Sequence, residues 1–277
     1  MDIERLNPLN DFLFLKIMGE KGDEEQLLAF LNAVLMRPKN EQLQSVDIIE
    51  NKAVPADVIR GKSCVLDVRA VLENGDRVDI EVQLRNLGNM DRRSLFYWSR
   101  EFTKGLSSGQ EYEEVPTVIA INIVGYVCLP EVPEFHTTFH IWEDKHRDIM
   151  LTDALEIHFI DMVKFRSFGE RDLLNNPLHR WLTYFDKGSP QELVEEVIKM
   201  DIAIQKAETK MRNVSRDDEA LRWYEVREKA LSDWASGVSH AKKEERLEIA
   251  RNLKALGVPV EQIIKGTGLT EKQVEEL

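Results

Sequence analysis

The chain has 277 residues, 43% hydrophobic and 31% charged, with a formal net charge of −13. That composition is ordinary for a globular protein of one or two domains and excludes wholesale disorder. So acidic a chain is also excluded as a general coat for nucleic acid, because neutralising phosphates requires Lys and Arg.

In chain order, Asn10 or Asp11 caps a first helix running to about Met18, and Gly19 to Gly22 breaks it. Leu27, Leu28, Phe30, Leu31, Val34 and Leu35 then repeat at helical spacing and stop at Pro38. Three strand-like segments follow, Leu43–Glu50, Ser63–Leu72 and Arg77–Leu84, and then a helix from about Asn89 to Leu106. Val115–Val124 is an apolar strand, with weaker strand signals at Phe135–Trp142 and Leu155–Ile160. Helix, three strands, helix and strand make a mixed α/β unit, in which the Asn89–Leu106 helix is long enough to cross between parallel strands. After Phe165 the composition turns to helix formers, with helical segments at Leu178–Phe185, Glu192–Met211 and Asp217 to Leu256. Gly257 and Pro259 end one helix, Gly266 and Gly268 another, and Thr270-x-x-Gln273 forms a capping box for the last.

Cys64 and Cys128 are the two cysteines, and there is no C-x-x-C, so a disulfide framework and a zinc ribbon are both unexpected. Met1-Asp2-Ile3-Glu4-Arg5 lacks the basic start and apolar stretch of a signal peptide. The longest uncharged run, Val115 to Pro130, falls short of the ~20 apolar residues of a membrane helix. The expectation is a cytoplasmic protein with no membrane association.

The most informative stretch is Val65 to Leu84, two apolar strands joined at Asn74-Gly75. Asp67 interrupts one strand, and Glu81 and Gln83 share a face of the other. A two-residue Asn74-Gly75 turn sets Asp67 opposite Val82 and on the face away from Glu81. A three-residue loop, Glu73-Asn74-Gly75 with Gly75 left-handed, sets Asp67 directly opposite Glu81. Two carboxylates so placed repel each other unless a cation intervenes, and Mg²⁺ suits them because it keeps waters for a substrate phosphate. The competing interpretation makes Asp79, Glu81 and Gln83 the solvated face of an antiparallel strand.

Within residues 85–105, Arg85, Arg92, Arg93, Arg100 and Lys104 face only Asp91 and Glu101, a local charge of +3 in an acidic chain. Arg93, Tyr97, Arg100 and Lys104 recur on one helix face. They fit phosphate binding, or equally a surface whose Arg stems cover core. His136 and His140 share strand parity near Glu143, Asp144 and His146, but no histidine has the spacing of a zinc helix motif. Residues 260–277 have a helix-turn-helix pattern. The 241–277 segment balances seven basic against seven acidic residues, and Glu271, Glu275 and Glu276 crowd the last helix. That balance suits packing or self-association better than groove reading.

The order of helix, strand, strand with Asp67, strand with Glu81-x-Gln83, helix and strand resembles the PD-(D/E)XK nuclease core. More closely, the chain resembles the recombination-promoting nuclease (Rpn) family, a transposase-like branch of that superfamily. The likeness runs from Asn10-Asp11-Phe12-Leu13-Phe14 and Gly19 through Leu31-Asn32-Ala33-Val34-Leu35, Asp67, Glu81-Val82-Gln83 and Arg93-Ser94-Leu95-x-Tyr97. It resumes at Trp181-Leu182-x-Tyr184-Phe185 and the charged helical tail.

The resemblance implies an α/β, restriction-endonuclease-like core (αβββαβ, mixed sheet) over residues 1–165. A helical C-terminal region over 166–277 follows, ending in a small helix-turn-helix-like unit. It implies a metal-dependent DNA endonuclease using Mg²⁺, with Mn²⁺ or Ca²⁺ as substitutes. Asp67 and Glu81 would be its metal ligands, Gln83 would stand where the superfamily has Lys, and Asp11 would complete the catalytic set. From the helix spacing and local charge above, Arg93, Tyr97, Arg100 and Lys104 would meet DNA, and from its charge balance the helical C-terminal region would support a homo-oligomer. The chain departs from the pattern at Leu66, where the superfamily has its Pro, and at Phe14-Leu15-Lys16, where the family has Phe-Lys. The alternative is a catalytically inactive nuclease-fold module acting through protein or DNA binding.

Overall fold

The structure is a computed structural model and describes residues 5–49, 68–106, 109 and 111–277. It divides into two compact units, Met1–Glu228 and Lys229–Leu277.

The larger unit opens with α1 (Asp11–Met18), whose N-cap Asn10 accepts a hydrogen bond from the Leu13 amide. It ends at Gly19, where an added Cβ would lie 2.7 Å from Leu15 Cδ1 and 2.9 Å from Val68 Cγ2. Only glycine lets the helix end approach the sheet this closely. Helix α2 (Glu24–Leu35) terminates at a left-handed Met36, φ 48°, just ahead of Pro38. Three strands follow: β1 (Val46–Ile48), β2 (Val68–Leu72) and β3 (Arg77–Gln83). The expected Ser63–Leu72 strand is thus seen from Val68 onward, its earlier part lying outside the described residues.

The β2–β3 turn resolves the question of register. Leu72 N donates to Asp76 O at 2.8 Å and Gly75 N to Leu72 O at 2.9 Å, with Gly75 at φ 90°. That is the three-residue loop, and it pairs Val68 with Ile80, Arg69 with Asp79 and Val71 with Arg77. Helix α3 (Met90–Lys104) then carries the chain to β4 (Val118–Val124), which lies parallel to β3. Strands β5 (His136–Trp142) and β6 (Met150–Asp161) complete a mixed six-stranded sheet in the order β1-β2-β3-β4-β6-β5.

Among the described residues, the further helices are α4 (Met162–Ser167), α5 (Pro177–Phe185), α6 (Gln191–Met200), α7 (Ile202–Val214) and α8 (Asp218–Ala255). After α8 come α9 (Val260–Thr267) and α10 (Glu271–Glu275). The segment Glu192–Met211, expected as one helix, breaks at Asp201. Its carboxylate caps α7 by accepting from Ala203 N and also receives Arg180 Nε at 3.2 Å. Helix α4, absent from the sequence expectation, starts on Asp161, which accepts from the amides of Val163 and Lys164.

The two faces of the sheet differ. Val68, Ala70, Leu72, Val78, Ile80, Val82, Ile119, Ile121 and Ile123 belong to the main core with residues of α1, α2 and α5–α7. Its aromatic centre sets Phe30 edge-on to Trp181 at 5.7 Å and to Phe185 at 5.4 Å. The opposite face carries Arg77, Asp79 and Glu81 on β3, and a smaller cluster of Met90, Ala120, Val124, Leu155, Ile157 and Phe159. Helix α3 lies over that face.

In the smaller unit, Ala250, Ile263, Leu269 and Val274 form a separate core. The capping box at Thr270 and Gln273 is present as expected, and Gly268 takes φ 69° at the end of α9.

Candidate functional site

Strand β3 lies inside the sheet, between β2 and β4, so the α3-facing side of its middle is shut off from water. Asp79 is 5% and Glu81 3% exposed, which overturns the solvated-face interpretation of these acids. A carboxylate buried this deeply must be compensated. Arg93, in the first turns of α3, donates from Nε to Glu81 Oε1 at 2.6 Å. Beside this pair, Asn122, the β4 partner of Glu81, donates to Ser94 Oγ at 2.8 Å and to His158 O at 3.0 Å. Trp98 Nε1 donates to Val118 O at 2.9 Å. Helix α3 is therefore fastened to the sheet by successive turns, and Arg93 is aimed by that attachment.

One turn beyond Trp98, Glu101 collects a cluster of cations. Arg77 lies 3.1 Å from it, Arg69 3.6 Å, and Lys104 donates to it from the same helix. Burial opposes ionisation of Glu101, yet hydrogen bonds from Lys104 and Arg77 hold its carboxyl below the ordinary range. This buried acid was missed in the sequence, where it counted only as a charge offsetting the basic stretch.

The structure therefore separates the four residues of the basic helix face. Arg93 is half-buried on Glu81 and lies over the Tyr97 ring at 5.2 Å. Arg100 is exposed, over the same ring at 5.8 Å. Lys104 is exposed but engaged with Glu101.

Gln83 is half-buried at the end of β3, and its amide Nε2 donates to Arg85 O at 3.1 Å. Asp11 sits on the first turn of α1 and is held by Arg227, whose Nε donates to Oδ1 at 2.9 Å. Burial pushes the pKa of the Arg85 guanidinium down, with Arg227 lowering it further and Asp11 raising it. Asp67 lies outside the described residues. It adjoins Val68, whose cross-strand partner Ile80 adjoins Glu81.

On the far edge of the sheet, His136 Nε2 and His158 Nδ1 are 2.9 Å apart, and His158 Nε2 lies 2.6 Å from Glu156 Oε1. Burial, with His158 adding to it, pushes His136 down to about 4. Among the described residues no three His, Cys, Asp or Glu side chains are grouped so as to hold a metal. Nor does any described helix have the length and apolarity to cross a membrane.

The mixed six-stranded sheet, its helices and the helical C-terminal region are consistent with a nuclease-type α/β fold. A family model described as PD-(D/E)XK nuclease family transposase matches residues 8–241, and the chain belongs to that family. No curated protein and no solved structure matches it significantly.

Proposed function

We propose that the protein is a divalent-metal-dependent endonuclease that hydrolyses phosphodiester bonds of DNA in the cytoplasm. The observation that carries this reading is Glu81, a carboxylate 3% exposed on an inner strand and already matched by a cation in a member of this family. The donor chemistry fits Mg²⁺, with Mn²⁺ or Ca²⁺ as substitutes. Glu81 offers a hard carboxylate oxygen at a point that accepts positive charge, and Asp67 would supply the second. A cation bound there supplies neutralisation of phosphate charge and acidification of a water.

The chain's own residues do the rest. Gln83 lies on the same strand face as Glu81, and its bond to Arg85 O steadies the amide that orients the attacking water. It carries no charge, so anion stabilisation falls to Arg93, whose guanidinium turns from Glu81 to the phosphodiester. Arg100 and Tyr97 meet the flanking backbone, with Lys104 beyond them. Asp11 completes the set and is held in place by its bond from Arg227. Self-association through the helical C-terminal region completes the proposal.

Supercoiled plasmid incubated with Mg²⁺, Mn²⁺ or Ca²⁺, with and without EDTA, tests it. Metal-dependent nicking should vanish in Glu81→Ala and Asp67→Ala and fall by roughly 10–100-fold in Gln83→Ala, the usual cost of losing a supporting group. Cleavage by Asp67→Ala equal to the parent's would sink the assignment. The pairing of Glu81 with Arg93 and the net charge of −13 favour a second reading, a non-catalytic module that retains the fold. Absence of metal-dependent cleavage by the parent would select it.

A further inference from the structure

A cavity of about 560 Å³ opens between the start of α3, the Tyr126–Leu129 segment that follows β4, and Phe139, Ile157 and Phe159 of β5 and β6. It belongs to the same neighbourhood as the site. Ser94, which lines it, accepts the hydrogen bond from Asn122, the cross-strand partner of Glu81.

The lining chemistry selects a class of ligand. Phe139 and Phe159, edge-on at 5.8 Å, and Leu95 give apolar walls, and Phe139 and Leu95 remain 42% and 50% exposed at the opening. The lining includes no Lys or Arg and one acid, Asp91, so it does not suit a phosphate. Asn89 stands at the N-cap of α3, but its side chain makes no capping hydrogen bond, which leaves an amide to meet a donor–acceptor edge. An uncharged flat ring with polar edges, joined to a phosphate that lies toward Arg93, is a nucleobase in a strand.

We propose that this cavity receives one unstacked nucleobase of the DNA held at the Glu81 site. The inference rests on the nuclease reading and adds a substrate preference to it. A base must leave its stack to enter, so strands with a mismatched or unpaired base are favoured over perfect duplex. Stacking on an aromatic wall tolerates any base, so the preference is for weak pairing rather than for a sequence.

The test uses two duplexes of one sequence, fully paired or with a single mismatched 2-aminopurine, and fluorescence anisotropy in EDTA so that neither is cut. The full-length protein should bind the mismatched duplex about tenfold more tightly, the scale of one base–aromatic stack. The 2-aminopurine emission should rise on binding as the base leaves the helix. Phe139→Ala, a partly exposed side chain, should abolish both differences while leaving affinity for the paired duplex and plasmid cleavage unchanged. Equal affinities and unchanged emission, with plasmid cleavage intact, would overturn the cavity assignment and leave the nuclease reading standing. Failure to bind either duplex, together with no metal-dependent plasmid cleavage, would overturn both. Competition by free deoxynucleosides without any mismatch preference would reassign the cavity to free nucleotides and overturn the proposal.

Discussion

The Glu81–Arg93 contact concentrates the energetics of the site in two side chains. Glu81 is buried, so its charge is tolerated because a guanidinium lies 2.6 Å away. Removing one partner of a buried ion pair is strongly destabilising, at about 3 kcal/mol. Arg93→Gln should therefore lower thermal stability clearly, unlike an ordinary surface change. If a divalent cation binds at Glu81, it replaces the missing charge. Mn²⁺ should then raise the melting temperature of Arg93→Gln more than that of the parent, because only the parent must first give up an ion pair. Equal metal-induced shifts in calorimetry would place the metal elsewhere. The arginine was visible in the sequence as one member of a basic helix face. Its partner was not, because contact across 12 positions depends on how α3 docks.

At the scale of elements, α3 both covers the sheet and presents its charge. Arg100 is exposed and rests on aromatic rings, whereas Lys104 is drawn onto the buried Glu101. Arg100→Ala should reduce DNA affinity across all sequences and lower the salt slope by ~1, with little change in stability. Anisotropy across a salt series reads this directly, and an unchanged slope would remove Arg100 from the interface.

The β5–β6 edge makes a different prediction, through His136. Its folded pKa of about 4 lies below the ordinary 6.5, so between those values the unfolded chain takes up a proton that the fold excludes. Stability is then fully present above pH 6.5 and is lost as pH falls toward 4, at up to about 1.4 kcal/mol per pH unit. Denaturant unfolding from pH 7 to 4 should show this slope, and His136→Gln should flatten it. A slope unchanged in His136→Gln would assign the acid sensitivity to other groups.

For the larger unit as a whole, the sheet and the helices after it share one core. Trp181 is fully buried on α5, yet its ring partners include Phe30 of α2. Trp181→Ala should cost about 3–5 kcal/mol, the usual price of deleting a large core aromatic. It should also lower the unfolding midpoint followed by a probe on the sheet as much as one followed on α5. Separate transitions at the two probes would mean that the helices fold independently of the sheet.

What the sequence determined by itself was whatever depends on near neighbours. The Asn10 cap, the break at Gly19 and the Thr270–Gln273 capping box involve groups a few residues apart, and each lies where the pattern put it. The alternation of β3, the long apolar β4 and the helix between them also followed from period alone, and with them the α/β class, whereas the family came from the resemblance of its ordered motifs. The hairpin pattern allowed two registers, and only the three-residue loop with its left-handed Gly75 decided between them. The break at Asp201 escaped notice because its carboxylate answers Arg180, on another helix, as well as its own cap. The burial of Asp79, Glu81 and Glu101 was likewise illegible. Alternation states that acids share a strand face, but whether that face meets water depends on the helix laid over it. That docking places Arg93, Trp98 and Glu101 against groups 12 to 24 residues away in the chain, a distance over which periodicity carries no information.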